Sequence, residues 1–384
     1  MKIAFLHYAN VYRAGIERML ATKANLLAGQ MGCEVVVLTY EQNGEPFPYP
    51  LSPAVTCVDL NVHLYDAYKS AYPMRYFRKL SLRRQLAAAL RRFLCEQHPD
   101  VVVCTDKDSY ELKALLSVRT TERVVVEAHT GHIDHEMQAA RTTSFFRWLI
   151  AKRDLRRLKT TVSQSDLLVA LTPDDARCWS PYVKTVVIAN CLPQYPGHAA
   201  DIAEEKKRVI AVGRLDYQKG FDLLLQSWRQ VQDAHPDWCL DIYGDGLEKD
   251  MLNAQCSTLN LKNVSIHPST PDIYAEYMRS DFLVCSSRWE SFGMMMIEAM
   301  SCGVPVVSFD CDNGPRNIIH HGDDGLLARN GDVDDLAAKI RWMMENKERR
   351  VQMGLNARKA SARFGQGQIF AQYMALLSQE AGSR

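Results

Sequence analysis

The chain of 384 residues lacks the features that mark several special classes of protein. No stretch approaches the roughly 18 consecutive apolar residues of a membrane-spanning helix, and no charged segment with a cleavage site precedes the apolar start MKIAFLHYA. Neither sign of charge is in excess, with 46 Lys plus Arg against 45 Asp plus Glu, which argues against a nucleic-acid partner. The 11 cysteines occur singly, without a CxxC pair. We therefore expect a cytoplasmic protein whose cysteines are reduced core residues.

Short apolar runs alternate with longer helical patterns along most of the chain, which is typical of βαβ units and parallel sheets. The patterns predict strands at 3–7, 34–38, 55–60, 101–105, 123–128, 167–171 and 185–189, then at 209–212, 240–243, 264–267, 282–286 and 304–309. Between the two series lies NCLPQYPGHAADIAEEKK, whose prolines, glycine and polar residues favour neither helix nor strand.

The alternation and its interruption predict an α/β protein with two doubly wound, Rossmann-like domains facing a central cleft. The N-terminal domain is expected over 1–192, a linker over 193–205 and the C-terminal domain over 206–364. The remaining segment, 365–384, is expected to form a helix that packs back across the domains. Ligands of such sheets bind at the carboxyl ends of the strands, which would line the cleft.

The densest group of candidate residues is RWESFGMMMIEAMSCGVPVV, which places Glu290 after a predicted strand and Glu298 inside the next helix. The start of that helix, from Phe292 to Met295, presents free backbone N–H groups that suit a phosphate. A carboxylate one or two turns further on can accept hydrogen bonds from vicinal hydroxyls, as on a ribose. The alternative for two isolated glutamates is one solvated residue and one helix cap.

A second group, VGRLDYQKGFDLLL, places Arg214 and Lys219 between a strand and a helix. Gly213 and Gly220 allow the backbone to approach a ligand closely at this point. Two cations here suit a diphosphate whose charge grows as a bond to it breaks. The alternative is a pair of ordinary surface cations, but the combination favours the phosphate site.

These segments, with IYGDGLE at 242–248, GPRNIIHHGDDGLL at 314–327 and AGIERM at 14–19, resemble the retaining family-4 glycosyltransferases of GT-B fold over nearly the whole chain. The resemblance implies a nucleotide-sugar donor held by the C-terminal domain and an acceptor held mainly by the N-terminal domain. It implies that Arg214 and Lys219 bind and stabilise the leaving diphosphate and that Glu290 lies beside the donor sugar. The donor-binding residues that it implies are Gly15, Gly213, Phe292, Gly293, Met294, Met295 and Glu298, the last on the ribose.

His129, in VVVEAHTGH, matches a histidine of this family that reaches the donor or the attacking acceptor. The alternative is a strand-end histidine that is bonded to the backbone. With His132 and His135 it forms an HxxHxxH series, which could suggest a metal. Three-residue steps from a strand into a loop do not put three imidazoles on one face, so a metal site is not expected there.

Asp310 and Asp312 form a DxD, a signature of metal-dependent transferases of another fold. Because this DxD follows a strand of the second domain, we interpret it as a loop. The resemblance implies that Arg214 and Lys219 take the role that a divalent ion has in those enzymes. We therefore expect neither a metal nor a cofactor.

A basic segment, RYFRKLSLRRQLAAALRR at 75–92, has seven basic residues and no acidic one, and FFRWLIAKRDLRRLK at 145–159 adds further basic and aromatic residues. This composition suits an anionic membrane surface or an acidic or lipid-linked acceptor. A solvated helix face is an equally good interpretation.

The function expected from the resemblance is a retaining, metal-independent transfer of a hexose or N-acetylhexosamine from a nucleotide-diphosphate sugar, with UDP preferred, to a glycan or glycolipid. The enzyme would work in the cytoplasm, in part at the inner face of the membrane. Retention leaves open whether the acceptor approaches from the leaving-group face or Glu290 acts as a nucleophile. Two alternatives are a nucleotide-sugar epimerase of the same architecture and a non-catalytic nucleotide-sugar-binding partner subunit.

Overall fold

A computed structural model describes residues 1–11, 15–30, 32–69, 71, 74–106, 109–132, 135–136, 145–200 and 204–378. The chain forms two compact units. The first unit is Met1–Ile188 with Met374–Arg384, and the second unit is Ala189–Tyr373.

The sheet of the first unit has seven parallel strands. They are β1 (Lys2–Leu6), β2 (Glu34–Thr39), β3 (Val55–Asp59), β4 (Val101–Thr105), β5 (Arg123–Ala128), β6 (Leu167–Ala170) and β7 (Thr185–Val187). Their order is β3-β2-β1-β4-β5-β6-β7, and Ala4 of β1 pairs with Val36 on one side and Val102 on the other. The central strands are almost continuous apolar runs because both faces of such a sheet are covered.

Helices connect these strands. The described ones are α1 (Gly15–Gln30), α2 (Met74–Gln97), α3 (Ser109–Leu116), α4 (Phe145–Val162) and α5 (Pro173–Trp179), with a 3₁₀ helix at Leu64–Lys69. The start of α5 shows why a helix begins there. Thr172 caps it by accepting a hydrogen bond from the Asp175 N–H at 3.2 Å, and Pro173 occupies the first position.

The second unit has a six-stranded parallel sheet. Its strands are β8 (Arg208–Val212), β9 (Cys239–Tyr243), β10 (Val264–His267), β11 (Phe282–Cys285), β12 (Val306–Phe309) and β13 (Gly325–Ala328). They pair in the order β10-β9-β8-β11-β12-β13, so β8 and β11 lie side by side at the centre.

The helices of the second unit follow its strands along the chain, except for the last two, which follow other helices. They are α6 (Phe221–Val231), α7 (Lys249–Thr258), α8 (Ile273–Met278), α9 (Met294–Ser301), α10 (Gly314–Ile318), α11 (Val333–Glu345), α12 (Lys347–Ser361) and α13 (Gln366–Ser378), with 3₁₀ helices at Tyr217–Lys219 and Ala362–Phe364. In α6 the residues Phe221, Leu224, Leu225, Trp228 and Val231 recur at helical spacing and are all buried. This apolar face packs into the core of the unit with residues of β8 and β9, which orients the helix.

All twelve predicted strands are present, with ends that differ by at most two residues from the prediction. The strand that the sequence patterns missed is β13. It has four residues, starts with a glycine and contains no β-branched residue, so its strand signal is weak. Gly325 is needed there because a Cβ would lie 2.5 Å from the carbonyl oxygen of Val306.

The division into units falls at Ile188 and Ala189, a few residues before the expected end of the N-terminal domain. The segment expected as a linker, 193–205, belongs to the second unit. Backbone and side-chain hydrogen bonds fix its described part: the Gln366 side chain donates to the Pro193 carbonyl at 2.5 Å, and the Ala200 N–H donates to the Cys302 carbonyl at 2.7 Å. Along α13, the residues from Met374 onward are part of the first unit.

Two further expectations concern the cysteines and the membrane. Cys57, Cys95 and Cys178 are exposed, so the expectation that the cysteines are core residues is wrong for these three. They lie on a strand edge or on outward helix positions, where burial is not required. Among the residues that the structure describes, no helix combines the length and apolar character needed to cross a bilayer.

Candidate active site

The candidate residues of the second unit meet at the carboxyl ends of β8 and β11. After β8 the chain turns through the 3₁₀ helix Tyr217–Lys219, which Asp216 caps by accepting a hydrogen bond from the Lys219 N–H at 3.3 Å. Gly220 follows with φ 61°, and a Cβ there would lie 2.2 Å from the Ser286 carbonyl oxygen. Only glycine therefore allows this loop to pack directly on the end of β11.

Lys219 and Glu290 form a largely buried ion pair. The distance from Lys219 Nζ to Glu290 Oε1 is 2.5 Å, and the two side chains are 14% and 6% exposed. Ser287 Oγ donates to the same carboxylate oxygen at 2.6 Å. Burial by itself lowers the pKa of Lys219, but the charge and hydrogen bond of Glu290 outweigh it and raise that pKa above its ordinary value. The ammonium is thus kept charged at neutral pH.

The other predicted residues of this loop lie around Lys219. A Cβ on Gly213 would come within 3.1 Å of the Lys219 side chain, so glycine leaves room for the lysine stem. Arg214 is 66% exposed at its side chain, with its Nη2 3.2 Å from Asp216 Oδ2 and donating to Gln218 Oε1 at 3.0 Å. The loop therefore carries one buried and one exposed cation, which is an arrangement able to bind a diphosphate.

The start of α9 supplies backbone N–H groups beside this pair. Gly293 precedes the helix with φ 100°, a backbone conformation that strongly favours glycine. Phe292 is 4% exposed and its ring packs edge-on against Phe364 with centroids 5.7 Å apart. Met295 is buried, and Met294 is only partly exposed. Phe292 and Met295 can therefore contact a ligand through their backbone rather than through their side chains.

Glu298 lies within α9 and is buried. The hydroxyl of Tyr277 donates to Glu298 Oε2 at 3.3 Å. Burial, together with the charge of Glu298, raises the pKa of Tyr277 well above its ordinary value, so Tyr277 stays a donor. A buried carboxylate with a fixed orientation can accept hydrogen bonds from vicinal hydroxyls.

Three residues around these glutamates were not predicted from the sequence. Ser287 and Tyr277 are the hydrogen-bond donors described above, and Asn313 forms a parallel β-bridge with Glu290. Ser287 lies three residues before Glu290, so its proximity was readable from the sequence. Tyr277 lies in helix α8 and Asn313 in the loop after β12, so their contacts depend on the tertiary structure.

In the first unit, His129 is part of a buried chain of three charged or titratable side chains. Its Nε2 lies 2.8 Å from Glu127 Oε2, and Lys23 Nζ of α1 lies 2.6 Å from Glu127 Oε1. All three side chains are at most 5% exposed. Burial by itself raises the pKa of Glu127, but Lys23 and His129 hold it well below its ordinary value. The side chain of His129 thus has the Glu127 carboxylate as a partner. Lys23 was missed because it comes from α1, far away in the sequence, whereas Glu127 lies only two residues before His129 and its proximity was readable.

The other candidate residues of the first unit are Gly15 and the histidines of the HxxHxxH series. A Cβ on Gly15, at the start of α1, would meet no atom within 4 Å among the described neighbours. The three histidines have different partners: His135 Nε2 lies 3.3 Å from Asp106 Oδ2, and His132 Nδ1 lies 3.5 Å from Glu136 Oε1. In the described part of the chain, no group of three or more potential metal ligands is present.

The DxD of the second unit lies in the loop after β12. Arg316 Nε donates to Asp310 Oδ1 at 2.9 Å, and Arg316 Nη2 is 3.9 Å from Asp312 Oδ1. Arg316, in the following helix α10, thus pairs with both carboxylates.

The basic segment at 75–92 lies in α2. Near the start of this helix, large apolar side chains are exposed: Met74 (63%), Tyr76 (64%), Phe77 (62%) and Leu80 (38%). Its later turns bury Leu86, Leu90, Phe93 and Leu94 in the core of the first unit. In α4, which includes the whole of 145–159, Leu149 and Ile150 are exposed. The side chains of residues 145–147 lie outside the described ones.

We expect Lys23→Met to lower the thermal unfolding midpoint by roughly 5–10 °C, because it leaves the buried Glu127 carboxylate with one partner, which costs about 3 kcal/mol. The double variant Lys23→Met/Glu127→Gln should recover part of this loss.

The same carboxylate predicts a pH dependence. Since the folded pKa of Glu127 lies below its unfolded value of 4.5, its contribution to the free energy of unfolding is complete above that pH and is lost as the pH falls. Scanning calorimetry between about pH 3 and 7 measures both effects. Equal midpoints for the single variant and the wild type would contradict the ion pair.

Comparison with known proteins identifies the family. The sequence model described as "Glycosyltransferase Family 4" matches residues 13–193. The model described as "Glycosyl transferases group 1" matches residues 198–360. Together the two matches cover most of the chain.

Individual relatives agree with these matches. An uncharacterized glycosyltransferase of Haemophilus influenzae is 26% identical over 370 residues, covering 94% of this chain and 96% of that protein. The amylovoran biosynthesis glycosyltransferase AmsD of Erwinia amylovora is 32% identical over 177 residues, covering 46% of this chain and about half (49%) of its own length. The crystal structure of Anabaena Alr3699/HepE in complex with UDP-glucose is 18% identical with a TM-score of 0.73, covering 99% of this chain and 100% of that one.

The family matches, the two parallel-sheet units and the structural similarity agree with the motif resemblance. The chain therefore belongs to the family-4 glycosyltransferases of GT-B fold.

Proposed function

We propose that this glycosyltransferase moves a hexose or N-acetylhexosamine, with retention of configuration, from a UDP-sugar to a glycan or glycolipid acceptor. The observation that carries the proposal is the Lys219 ammonium, which pairs with Glu290 next to the glycine-initiated helix α9, while Ser287 donates to the same carboxylate oxygen of Glu290. This places a fixed positive charge and free backbone N–H groups at one end of one sheet. That combination suits the diphosphate of a nucleotide sugar.

The donor contacts follow from the same geometry. Lys219 and Arg214 bind the diphosphate, the backbone of Gly293 and Met294 contributes N–H groups, and Glu298 accepts hydrogen bonds from the ribose hydroxyls. The HepE protein binds UDP-glucose, and AmsD acts in the biosynthesis of amylovoran, which supports a UDP-sugar and a glycan acceptor here. Since two cations stand at the diphosphate, we propose that no divalent metal and no cofactor takes part.

The proposed reaction breaks the bond between the anomeric carbon and the diphosphate oxygen and forms a bond to an acceptor hydroxyl oxygen. Lys219 and Arg214 neutralise the charge that grows on the departing diphosphate. Glu290 Oε1 already accepts hydrogen bonds from Lys219 and Ser287, which reduces its strength as a nucleophile. We therefore propose attack from the leaving-group face, with a diphosphate oxygen taking the acceptor proton and Glu290 orienting Lys219. His129, bound to Glu127, contacts donor or acceptor.

We expect UDP and UDP-sugars, but not GDP or ADP, to raise the thermal unfolding midpoint, with and without EDTA. A ligand at 100 times its Kd stabilises by about 2.7 kcal/mol. The stabilisation should be lost in Lys219→Ala and in Glu298→Ala and kept in Lys262→Ala, a control at a lysine of the same unit. Stabilisation that needs a divalent ion would contradict the metal-independent site. No effect of any nucleotide would contradict the donor class.

The stereochemical course is tested by NMR of the product formed from a UDP-sugar and a panel of glycan acceptors. We expect the product to keep the anomeric configuration of the donor. Glu290→Gln should reduce turnover by roughly 10–100-fold, whereas loss of an essential nucleophile costs on the order of 10⁶-fold. A loss of that larger size, with donor binding kept, would identify Glu290 as the nucleophile. Isomerised donor formed without acceptor would indicate an epimerase, and donor binding without turnover would indicate a binding partner subunit.

We further propose that the exposed start of α2 docks on an anionic membrane surface, which would bring a lipid-linked acceptor to the enzyme. Exposed aromatic and aliphatic side chains there alternate with basic ones, and α2 up to Arg92 has no acidic residue. Apolar side chains insert at the interface while basic ones contact anionic headgroups.

Vesicle sedimentation tests this docking. We expect binding to vesicles of phosphatidylglycerol and phosphatidylcholine, no binding to pure phosphatidylcholine, and release at high salt. Each basic residue near the surface adds about 1 kcal/mol, so Arg75→Glu/Arg78→Glu/Arg84→Glu should abolish binding. The matched control reverses three exposed charges of α12, Lys347, Arg349 and Lys359. Equal binding by both triple variants would contradict the docking surface.

A further inference from the structure

Asn313, in the loop between β12 and α10, has a strained backbone. Its φ of 73° and ψ of −72° lie in a region that residues with a side chain rarely adopt. The Gly314 N–H donates to the Asp312 carbonyl at 3.2 Å, so Asn313 is the central residue of a γ-turn of the uncommon hand. Such strain persists only where the surroundings impose it, and it occurs preferentially at functional sites.

The surroundings that impose this turn are the residues of the candidate active site. Asn313 forms its β-bridge with Glu290, and the Gly314 N–H also donates to the Glu290 carbonyl at 3.1 Å. A Cβ on Gly314 would lie 2.3 Å from the Phe292 carbonyl oxygen and 2.9 Å from Glu290 Cβ. The turn is therefore pressed against the segment that carries Glu290 and leads into α9.

The side-chain amide nitrogen of Asn313 lacks a partner. The residue is 4% exposed, and its Nδ2 is a buried donor without an acceptor among the residues that the structure describes. Buried amide groups are nearly always paired, because an unpaired one loses the hydrogen bonds that water would provide. Together with the strain, this indicates that the backbone of the loop holds a polar group in place for something other than stability.

We propose that Asn313 recognises the donor sugar, its carboxamide donating a hydrogen bond to an oxygen of the hexose and so contributing to the choice of sugar. This inference rests on the proposed function, because it assumes that the sugar of the donor lies beside Glu290. The carboxamide suits a sugar because it pairs with a hydroxyl oxygen without adding charge. The charged diphosphate has other partners, the cations Lys219 and Arg214 and the backbone of α9.

The test compares the binding of UDP alone with that of UDP-sugars, by calorimetric titration of the full chain. Asn313→Gly removes the carboxamide but adopts a positive φ without strain. We expect this variant to bind UDP as the wild type does and to bind the preferred UDP-sugar about 10-fold more weakly. The differences in its affinity for UDP-glucose, UDP-galactose and their N-acetyl forms should become smaller than in the wild type. Asn260→Gly, at an asparagine of the same unit with φ 49°, is the matched control and should change neither affinity.

The outcomes separate this inference from the proposed function. If the wild type binds neither UDP nor any UDP-sugar, the proposed function fails, and the inference fails with it. If the wild type binds both and Asn313→Gly loses affinity for both equally, Asn313 only shapes the loop. If the variant keeps the affinities and the preference of the wild type, Asn313 does not contact the sugar. Either of the last two results overturns the inference and leaves the donor class intact.

Discussion

The buried ion pair between Lys219 and Glu290 is the interaction on which the candidate active site depends. Each charge is expensive to bury by itself, and each is tolerable because the other lies 2.5 Å away. The pair connects the loop after β8 with the loop after β11. Gly220, which packs on the end of β11, brings the two loops close enough for the contact. Breaking the pair would leave an unpaired charge in the site.

The first unit also contains a buried carboxylate that is paired with basic side chains. Lys23 of α1 and His129, just beyond β5, hold the buried carboxylate of Glu127 between them. In both units, a buried carboxylate pairs with a cation or a histidine that the family resemblance places in the reaction. The positions of these groups are therefore set by ion pairs within each unit, which need no ligand to form.

The strand pattern, the class of fold and the family were predictable because each depends on local composition or on contiguous motifs. Apolar runs such as VVVC before a polar residue indicate a buried parallel strand whatever surrounds them. The exceptions had weak local signals. β13 is short and starts with glycine, and the segment at 193–205 looks like a linker although backbone contacts tie its described part to the second unit. Its prolines and polar residues describe an irregular chain, which can still be well packed.

The sequence by itself determined the two series of βα units, the family and the identity of the main candidate residues, Arg214, Lys219, Glu290 and Glu298, because these lie in short motifs beside predicted strands. Tertiary structure decided their partners. Tyr277 of α8 reaches Glu298 of α9, and Asn313 pairs with Glu290, only because the fold brings separate elements of the chain together. Lys23 meets Glu127 across 104 positions of sequence for the same reason. A parallel sheet gathers the carboxyl ends of its strands at one edge, and the order in which it does so is a property of the packed chain rather than of any segment.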